Sequence, residues 1–256
     1  MELFWQLVFL CPTLFVAGII DGISGGGGMI ALPAYMIAGL PVTMAYGCNK
    51  LQSCLGTCAS LGRYAKGGFF DLKAAGPAAL MAAGGSWLAT QLMLVLDDGT
   101  KKLVIVGAMA FVIGLTILSG CIKIDAFDRK RIDFSVKNLI ICMCIGFCMG
   151  IYDGLFGPGG GTIAILLFAL ILKLDLRVGG GNGKLIVVVA NLASVIAYMM
   201  HGKILYTIAL PCAAFNIAGS YLGASVAAKK GAGFVKYISW AVMGMVLIWE
   251  IVILLK

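Results

Sequence analysis

The stretch MGIYDGLFGPGGGTIAILL, Met149 to Leu167, sets Gly157, Pro158 and Gly159 to Gly161 between two apolar runs, with Asp153 just ahead of them. Glycine loses more backbone entropy on ordering than any other residue, and proline lacks a donor, so one helix ends here and another begins. A second version, AGIIDGISGGGGMIALP, runs from Ala17 to Pro33 with four adjacent glycines, Gly25 to Gly28, after Asp21. At a helix start several N–H groups lack partners and the helix dipole is positive, which suits an anion. In hydrocarbon such a break has to be buried against protein or face a cavity. A lone break reads equally well as a structural turn. Recurrence, with an acid each time, favours function.

The surrounding composition fixes the solvent. The chain has 256 residues, of which 61% are hydrophobic and 12% charged, and a mean hydropathy of +1.05. That leaves too little polar surface for a soluble globule. Apolar runs fall at 3–22, 29–45, 46–62, 74–96, 102–122, 137–155, 161–174, 184–200, 206–228 and 235–255, most near the ~20 residues of a spanning helix. The expected fold is therefore all-α and polytopic, with no soluble domain left over. The opening MELFWQ carries Glu2 and no basic segment, so the first run reads as a retained helix.

The two breaks belong to an internal duplication. Asp21-Gly22 matches Asp153-Gly154 at a shift of 132, Gly28 matches Gly161 at 133, and Lys50-Leu51 matches Lys184-Leu185 at 134. Gly85-Ser86-Trp87-Leu88 matches Gly219-Ser220-Tyr221-Leu222, again at 134. The basic segment Ile122 to Lys137 links the copies, so residues 1–128 form a first membrane repeat and 129–256 a second, each with five apolar runs. An odd number of crossings inverts one copy relative to the other. If every run changes side, one face carries 14 lysines and arginines and the other 5. If the short run after each break fails to cross, the counts are 10 and 9. Only the first arrangement obeys the positive-inside rule, and it puts both termini outside the cytoplasm. Whether the runs flanking a break cross fully or form a hairpin stays open. Gly18-Gly22, Gly146-Gly150-Gly154 and Gly219-Gly223 have the spacing that packs helices closely in lipid.

Residues able to carry chemistry are few. Asp21 and Asp153 lie well inside apolar segments, and Glu250 near the last helix end. A carboxylate at that depth is paired, protonated or in a wet cavity, so each reads either as a proton carrier or as a cap on its own glycine turn. After each break comes a polar cluster, CNKLQS from Cys48 to Ser53 and GGGNGKLI from Gly179 to Ile186. Asn49, Lys50, Gln52, Asn182 and Lys184 supply amide donors and two cations that suit an oxyanion. Equally, both lysines read as snorkelling to headgroups from helix starts. The candidate anion site comprises these five with Ser24, Gly25, Gly26, Gly27, Gly28, Gly157, Gly159, Gly160, Gly161 and Thr162. Asn191 and Ser194, deeper in the next run, are expected to bond a neighbouring helix or line the path.

Other classes fare worse. Nine cysteines, without a CxxC pair and with His201 as sole histidine, make neither a metal site nor a disulfide framework, so no metal or cofactor is expected. The net charge of +8 belongs to loops facing anionic headgroups and does not indicate nucleic acid. Val178 to Leu185 resembles a phosphate loop but lacks its first glycine and its Ser/Thr. No nucleophile, base and orienter set exists, so the chain is not expected to be an enzyme.

Gly154-Leu155-Phe156-Gly157-Pro158-Gly159-Gly160-Gly161, followed by an apolar run in a duplicated membrane chain, resembles the sulfite exporter TauE/SafE family, also called the toluene sulfonate uptake permease family. The likeness extends over nearly the whole chain; Gly22-Ile23-Ser24-Gly25 departs by Ser24 where phenylalanine is usual. The resemblance implies a secondary transporter of sulfite, sulfonates, sulfoacetate or similar anions in the cytoplasmic membrane, ion- or proton-coupled. An anion channel and a non-transporting assembly factor are the alternatives. The partners expected are the small anion and the lipid bilayer, with homo-oligomerisation left open.

Overall fold

The computed structural model describes residues 2–69, 71–120, 135–157 and 159–230. Expectations that rest on Pro158, on 122–134 of the linker and on the run 235–255 with Glu250 lie outside them. Among the described residues the chain is helical throughout: α1 (Leu3–Ser24), α2 (Gly28–Ile37), α3 (Val42–Lys66), α4 (Leu72–Val95), α5 (Asp98–Gly120), α6 (Val136–Leu155), α7 (Gly160–Leu172), α8 (Leu176–Met200) and α9 (Tyr206–Lys230). Five of these, α1, α4, α6, α8 and α9, are long and apolar enough to cross a membrane. Leucines and aromatics such as Phe4, Trp5, Leu80, Leu88 and Leu222 stand exposed around the periphery, as a lipid-facing surface requires.

Both glycine breaks form where the composition places them. Gly25 closes α1 at φ 80° and Gly159 opens α7 at φ 81°, a left-handed geometry that glycine adopts without steric cost. The helix after each short run starts earlier than its hydropathy run. The interruption expected at 45/46 lies at Gly39 to Pro41, and α3 begins at Val42. α8 begins at Leu176, not 184, so Gly179 to Gly181 are interior to it. The glycine cost is met there by close packing: a Cβ on Gly181 would lie 1.7 Å from the Phe69 carbonyl oxygen, and one on Gly180 3.2 Å from the Tyr64 ring.

Running directions follow from which residues meet. Gln6 Nε2 donates to the Ala38 carbonyl oxygen at 2.9 Å, and Gly27 sits against Ala17 and Asp21, so α2 folds back along α1 as a hairpin toward the face on which α1 began. Tyr64, near the end of α3, reaches Gly22 and Ile23 at the end of α1, so α3 runs parallel to α1. Lys50 meets Asn191 and Cys54 meets Val188, so α3 and α8 are antiparallel. α1 lies alongside α9 in the same direction, Gly18 against Asn216 and Gly22 against Ser220 and Ala224. α6 lies on α4 likewise, Gly146 against Ala78, Gly150 against Ala82 and Gly154 against Ser86. These are the small-residue stripes of the sequence, and at each a side chain would strike backbone.

The contacts recur at the register of the duplication. Gly47 abuts the Lys203 carbonyl as Gly181 abuts that of Phe69. The Leu205 amide points at Cys48 Sγ at 3.4 Å as the Asp71 amide donates to Asn182 Oδ1 at 2.9 Å. Each of these four correspondences is a shift of 134. Near the face on which α1 begins, Lys101 Nζ donates to Thr43 Oγ1 at 2.7 Å. On the opposite face Arg177 lies over the Phe69 ring at 4.7 Å. Outside the spans, Asp97 caps α5: its carboxylate accepts from Thr100 Oγ1 at 2.6 Å and the Thr100 amide at 2.8 Å, and these bonds hold its carboxyl below the usual range.

Candidate functional site

The two breaks touch. A Cβ on Gly161 would lie 2.6 Å from Gly25 Cα, and Thr162 Oγ1 donates to the Ser24 carbonyl oxygen at 2.9 Å. Beside this contact lies a cavity of about 20 Å³ lined by Asp21, Gly25, Gly28, Asn49, Lys50, Ser53, Thr57, Asp153, Gly157, Gly161, Val187 and Asn191. That is room for about one water.

Its charges are exchanged between the halves. Lys50 of α3 donates to Asp153 Oδ2 at 2.6 Å, to the Asp153 carbonyl oxygen and to Asn191 Oδ1 at 3.1 Å. Lys184 of α8 donates to Asp21 Oδ2 at 2.9 Å and to the Asp21 carbonyl oxygen. Each lysine therefore crosses to the aspartate that precedes the other half's break. It also satisfies a carbonyl in the last turn of that broken helix, where the dipole is negative. Thr57 Oγ1 donates to Asp21 Oδ2 at 3.3 Å. The pairs differ in dryness: the Asp153 side chain is 4% exposed and that of Asp21 15%. Two ammonium and two carboxylate groups leave the site formally neutral. Pairs this buried repay their desolvation only through close geometry and added hydrogen bonds of this kind.

The lysines thus correct one of the two readings open at sequence level. Lys50 and Lys184 are buried in helix interiors and do not snorkel. Their removal from the loops turns 14 against 5 into 13 against 4, one lysine leaving each face. The aspartates do not cap their own turns with their side chains, since the carboxylates face lysines. Gly25 spends its N–H on the Asp21 carbonyl at 2.8 Å.

Of the other residues singled out, Asn49 and Gly28 line the cavity with Gly157 and Gly161. Gln52 Nε2 donates to Asn49 Oδ1 at 3.0 Å and Ser53 Oγ at 3.1 Å, orienting them from behind. Gly160 lies beside Asp153, its Cβ position 3.1 Å from Oδ1, and Gly26 is looser than its neighbours Gly25 and Gly27, with nothing nearer than 3.7 Å. Gly27 is pressed on the Ala17 carbonyl, and Gly159 is the α7 N-cap. Ser24 turns its hydroxyl back to the Ile20 carbonyl at 3.2 Å. Asn182 is placed elsewhere, on the Asp71 amide at the α4 start, because it aligns with Cys48 and not with Asn49. Thr57 is a site residue that sequence reasoning missed, although the shift of 134 that pairs Lys50 with Lys184 also pairs Thr57 with Asn191. Ser194 bonds Ser86 and Thr90 of α4, both at 2.8 Å, and Asn191 lines the cavity.

Two tyrosines close the broken ends. Tyr46 hydroxyl donates to the Leu155 carbonyl oxygen at 3.4 Å, and Tyr64 hydroxyl to those of Gly22 at 3.3 Å and Ile23 at 3.4 Å. Both lie on α3, which therefore touches each broken helix once through a tyrosine and once through a polar residue of the cavity.

Comparison with known proteins agrees with this architecture. The chain is 32% identical over 236 residues to "Probable membrane transporter protein ORF9" of a Sinorhizobium species, covering 91% of this chain and 87% of that one. It is 32% identical over 226 residues to a "Probable membrane transporter protein" of Haemophilus influenzae, covering 88% and 86%. With "Probable membrane transporter protein YfcA" of Escherichia coli K12 it shares 26% over 239 residues, covering 90% and 87%. No solved structure matches it significantly. The model of the family "Sulfite exporter TauE/SafE" matches residues 10–249. A multi-pass helical chain with paired glycine breaks, matched from Leu10 almost to its end, belongs to the sulfite exporter TauE/SafE family of membrane transporters.

Proposed function

We propose that the protein moves small sulfur-containing oxyanions, of the sulfite, sulfonate or sulfoacetate type, across the cytoplasmic membrane as a proton-coupled secondary transporter. One observation carries the reading: Lys50 and Lys184 reach across to Asp153 and Asp21 around the point where the two breaks meet. An ammonium held by a carboxylate is unavailable to an anion. A proton on the aspartate removes that competitor and frees the ammonium, while Asn49, Ser53 and Thr57 offer neutral donors beside it. Anion and proton therefore bind together.

An oxyanion of several heavy atoms needs more room than one water, so loading requires the halves to part at the Gly25 and Gly161 contact. Opposed directions of α1 and α6 and of α3 and α8 support two inverted five-segment repeats rocking about the site. The surplus of basic residues on the face of Phe69 and Arg177 supports that face as cytoplasmic.

The test is counterflow. Proteoliposomes preloaded with unlabelled sulfite should accumulate labelled sulfite transiently above equilibrium, faster with acid on the uptake side. Flux without counterflow means a channel, and no flux of sulfite or any sulfonate removes the anion reading.

A further inference from the structure

The site holds its Lys–Asp pair twice, and the copies are independent in their bonding: Lys50 on Asp153 with Asn191, and Lys184 on Asp21 with Thr57. Asp21, Lys50 and Asp153 line one cavity, and Lys184 is bonded to the Asp21 carboxylate that lines it. Resting on the function proposed above, we infer that the substrate is a dianion and that it travels with two protons, so that the cycle carries no net charge.

The charge balance runs through four groups. With both pairs formed, two ammonium and two carboxylate charges cancel. One proton on each aspartate leaves two free ammonium groups and a site charge of plus two, which a dianion cancels and a monoanion halves. A buried excess charge is costly in a medium that screens poorly, so one proton with a dianion or two with a monoanion is disfavoured; one proton with a monoanion is neutral as well, but it leaves the other Lys–Asp pair tying the two halves across the contact that has to part. Release of the dianion and both protons restores the pairs. Other titratable groups face these carboxylates: Tyr64 of α3 stands near Asp21, and Tyr152 of α6 and Cys54 of α3 near Asp153. In the resting neutral state none of them carries charge. The dry Asp153 pair and the wetter Asp21 pair differ in access, which sets the order of protonation and not the count.

Two probes of fixed charge separate the outcomes. Sulfoacetate, a sulfonate with a carboxylate, is a dianion near neutral pH, and ethanesulfonate is a monoanion. In proteoliposomes of the intact protein, sulfoacetate uptake and internal acidification are recorded together while valinomycin and potassium clamp the membrane potential. The expected result is two protons per sulfoacetate, no change of rate with potential at fixed pH gradient, and ethanesulfonate uptake at least tenfold slower. One proton per sulfoacetate, acceleration by an inside-positive potential, or equal uptake of both probes overturns the inference but leaves anion transport standing. Absence of uptake of either anion overturns both. As a second arm, the Asp21→Asn/Lys184→Met variant keeps one pair and should carry ethanesulfonate in preference, with one proton. Retention of two protons per dianion in that variant assigns the second proton elsewhere and overturns the inference. Should the variant fail to insert, the proton count of the intact protein decides by itself.

Discussion

Replacing Lys50 by methionine leaves Asp153 buried with its principal partner gone. Lys50 supplies the ammonium at 2.6 Å from Oδ2 and also satisfies the Asp153 carbonyl and Asn191 Oδ1. Removing one member of a buried pair costs about 3–5 kcal/mol. Asp153 has one escape, to take a proton; for an ordinary carboxyl at pH 7 that costs about 4 kcal/mol, so the penalty is capped near that figure. The double variant Lys50→Met/Asp153→Leu removes both buried charges and should be more stable than Lys50→Met by about 3 kcal/mol, the residual loss being the bonds to Asn191 and the Asp153 carbonyl that go with the ammonium. Asp153→Leu alone leaves Lys50 buried and unpaired at about 3–5 kcal/mol, so the double-mutant cycle should show a coupling above the ~3 kcal/mol upper end for contacting residues. Reversible unfolding in mixed detergent micelles, followed by tryptophan fluorescence at pH 7, reads these differences. The penalty of Lys50→Met should shrink toward pH 5, where protonation costs less. A single-variant penalty below about 1 kcal/mol, or a double variant no better than the single, would refute the pairing.

The remaining predictions use other parts of the molecule. Asp153→Asn should keep sulfite exchange but show a weaker acceleration by a pH gradient, since Asp21 still takes its proton; an undiminished response would move that second proton away from Asp153. Gly27→Ala places a Cβ 2.4 Å from the Ala17 carbonyl and should cost about 1–3 kcal/mol as overpacking, whereas Gly26→Ala, with nothing nearer than 3.7 Å, should melt like the parent. Single cysteines at Lys203 and Lys66 should react with impermeant maleimide from opposite sides of the membrane, and labelling from one side alone would contradict the opposed helix directions. Asp97→Ala should lower the melting temperature at pH 7 and less so in acid. The carboxyl's depressed pKa means that its contribution is present above the ordinary carboxylate range and is lost as pH falls through the folded value.

What is legible in the sequence and what is not divides along a physical line. The breaks at Gly25, Gly157 and Gly159 to Gly161 and the stripes at Gly18, Gly146 and Gly219 are local or periodic signals, and each stands in the structure where composition places it. Partnership is different. Nothing in the order of residues says that Lys50 meets Asp153 and not Asp21, because the choice depends on α3 passing the other half's broken end. The helix starts at Val42 and Leu176 escape hydropathy for a related reason: buried lysine, asparagine and glycine read as polar interruptions when averaged along the chain. Their cost is met across helices, by aspartates and close backbones. Asn182 shows the limit of aligning by residue type, since one position of register sends it to the Asp71 amide.

The lateral exchange of helices has a consequence for biosynthesis. α1 has its glycine face against α9, while the intervening chain, about 180 residues from Ser24 to Tyr206, is still to be made when α1 leaves the ribosome. At ~5–20 residues per second that is a wait of roughly 10 to 40 s. Throughout it, Gly18 and Gly22 are without the backbone they are shaped to receive, and Asp21 is without Lys184. Among the described residues α1 closes on α9 and α6 on α4, each across the halves, so the nascent N-terminal portion has to be sheltered until the C-terminal portion arrives.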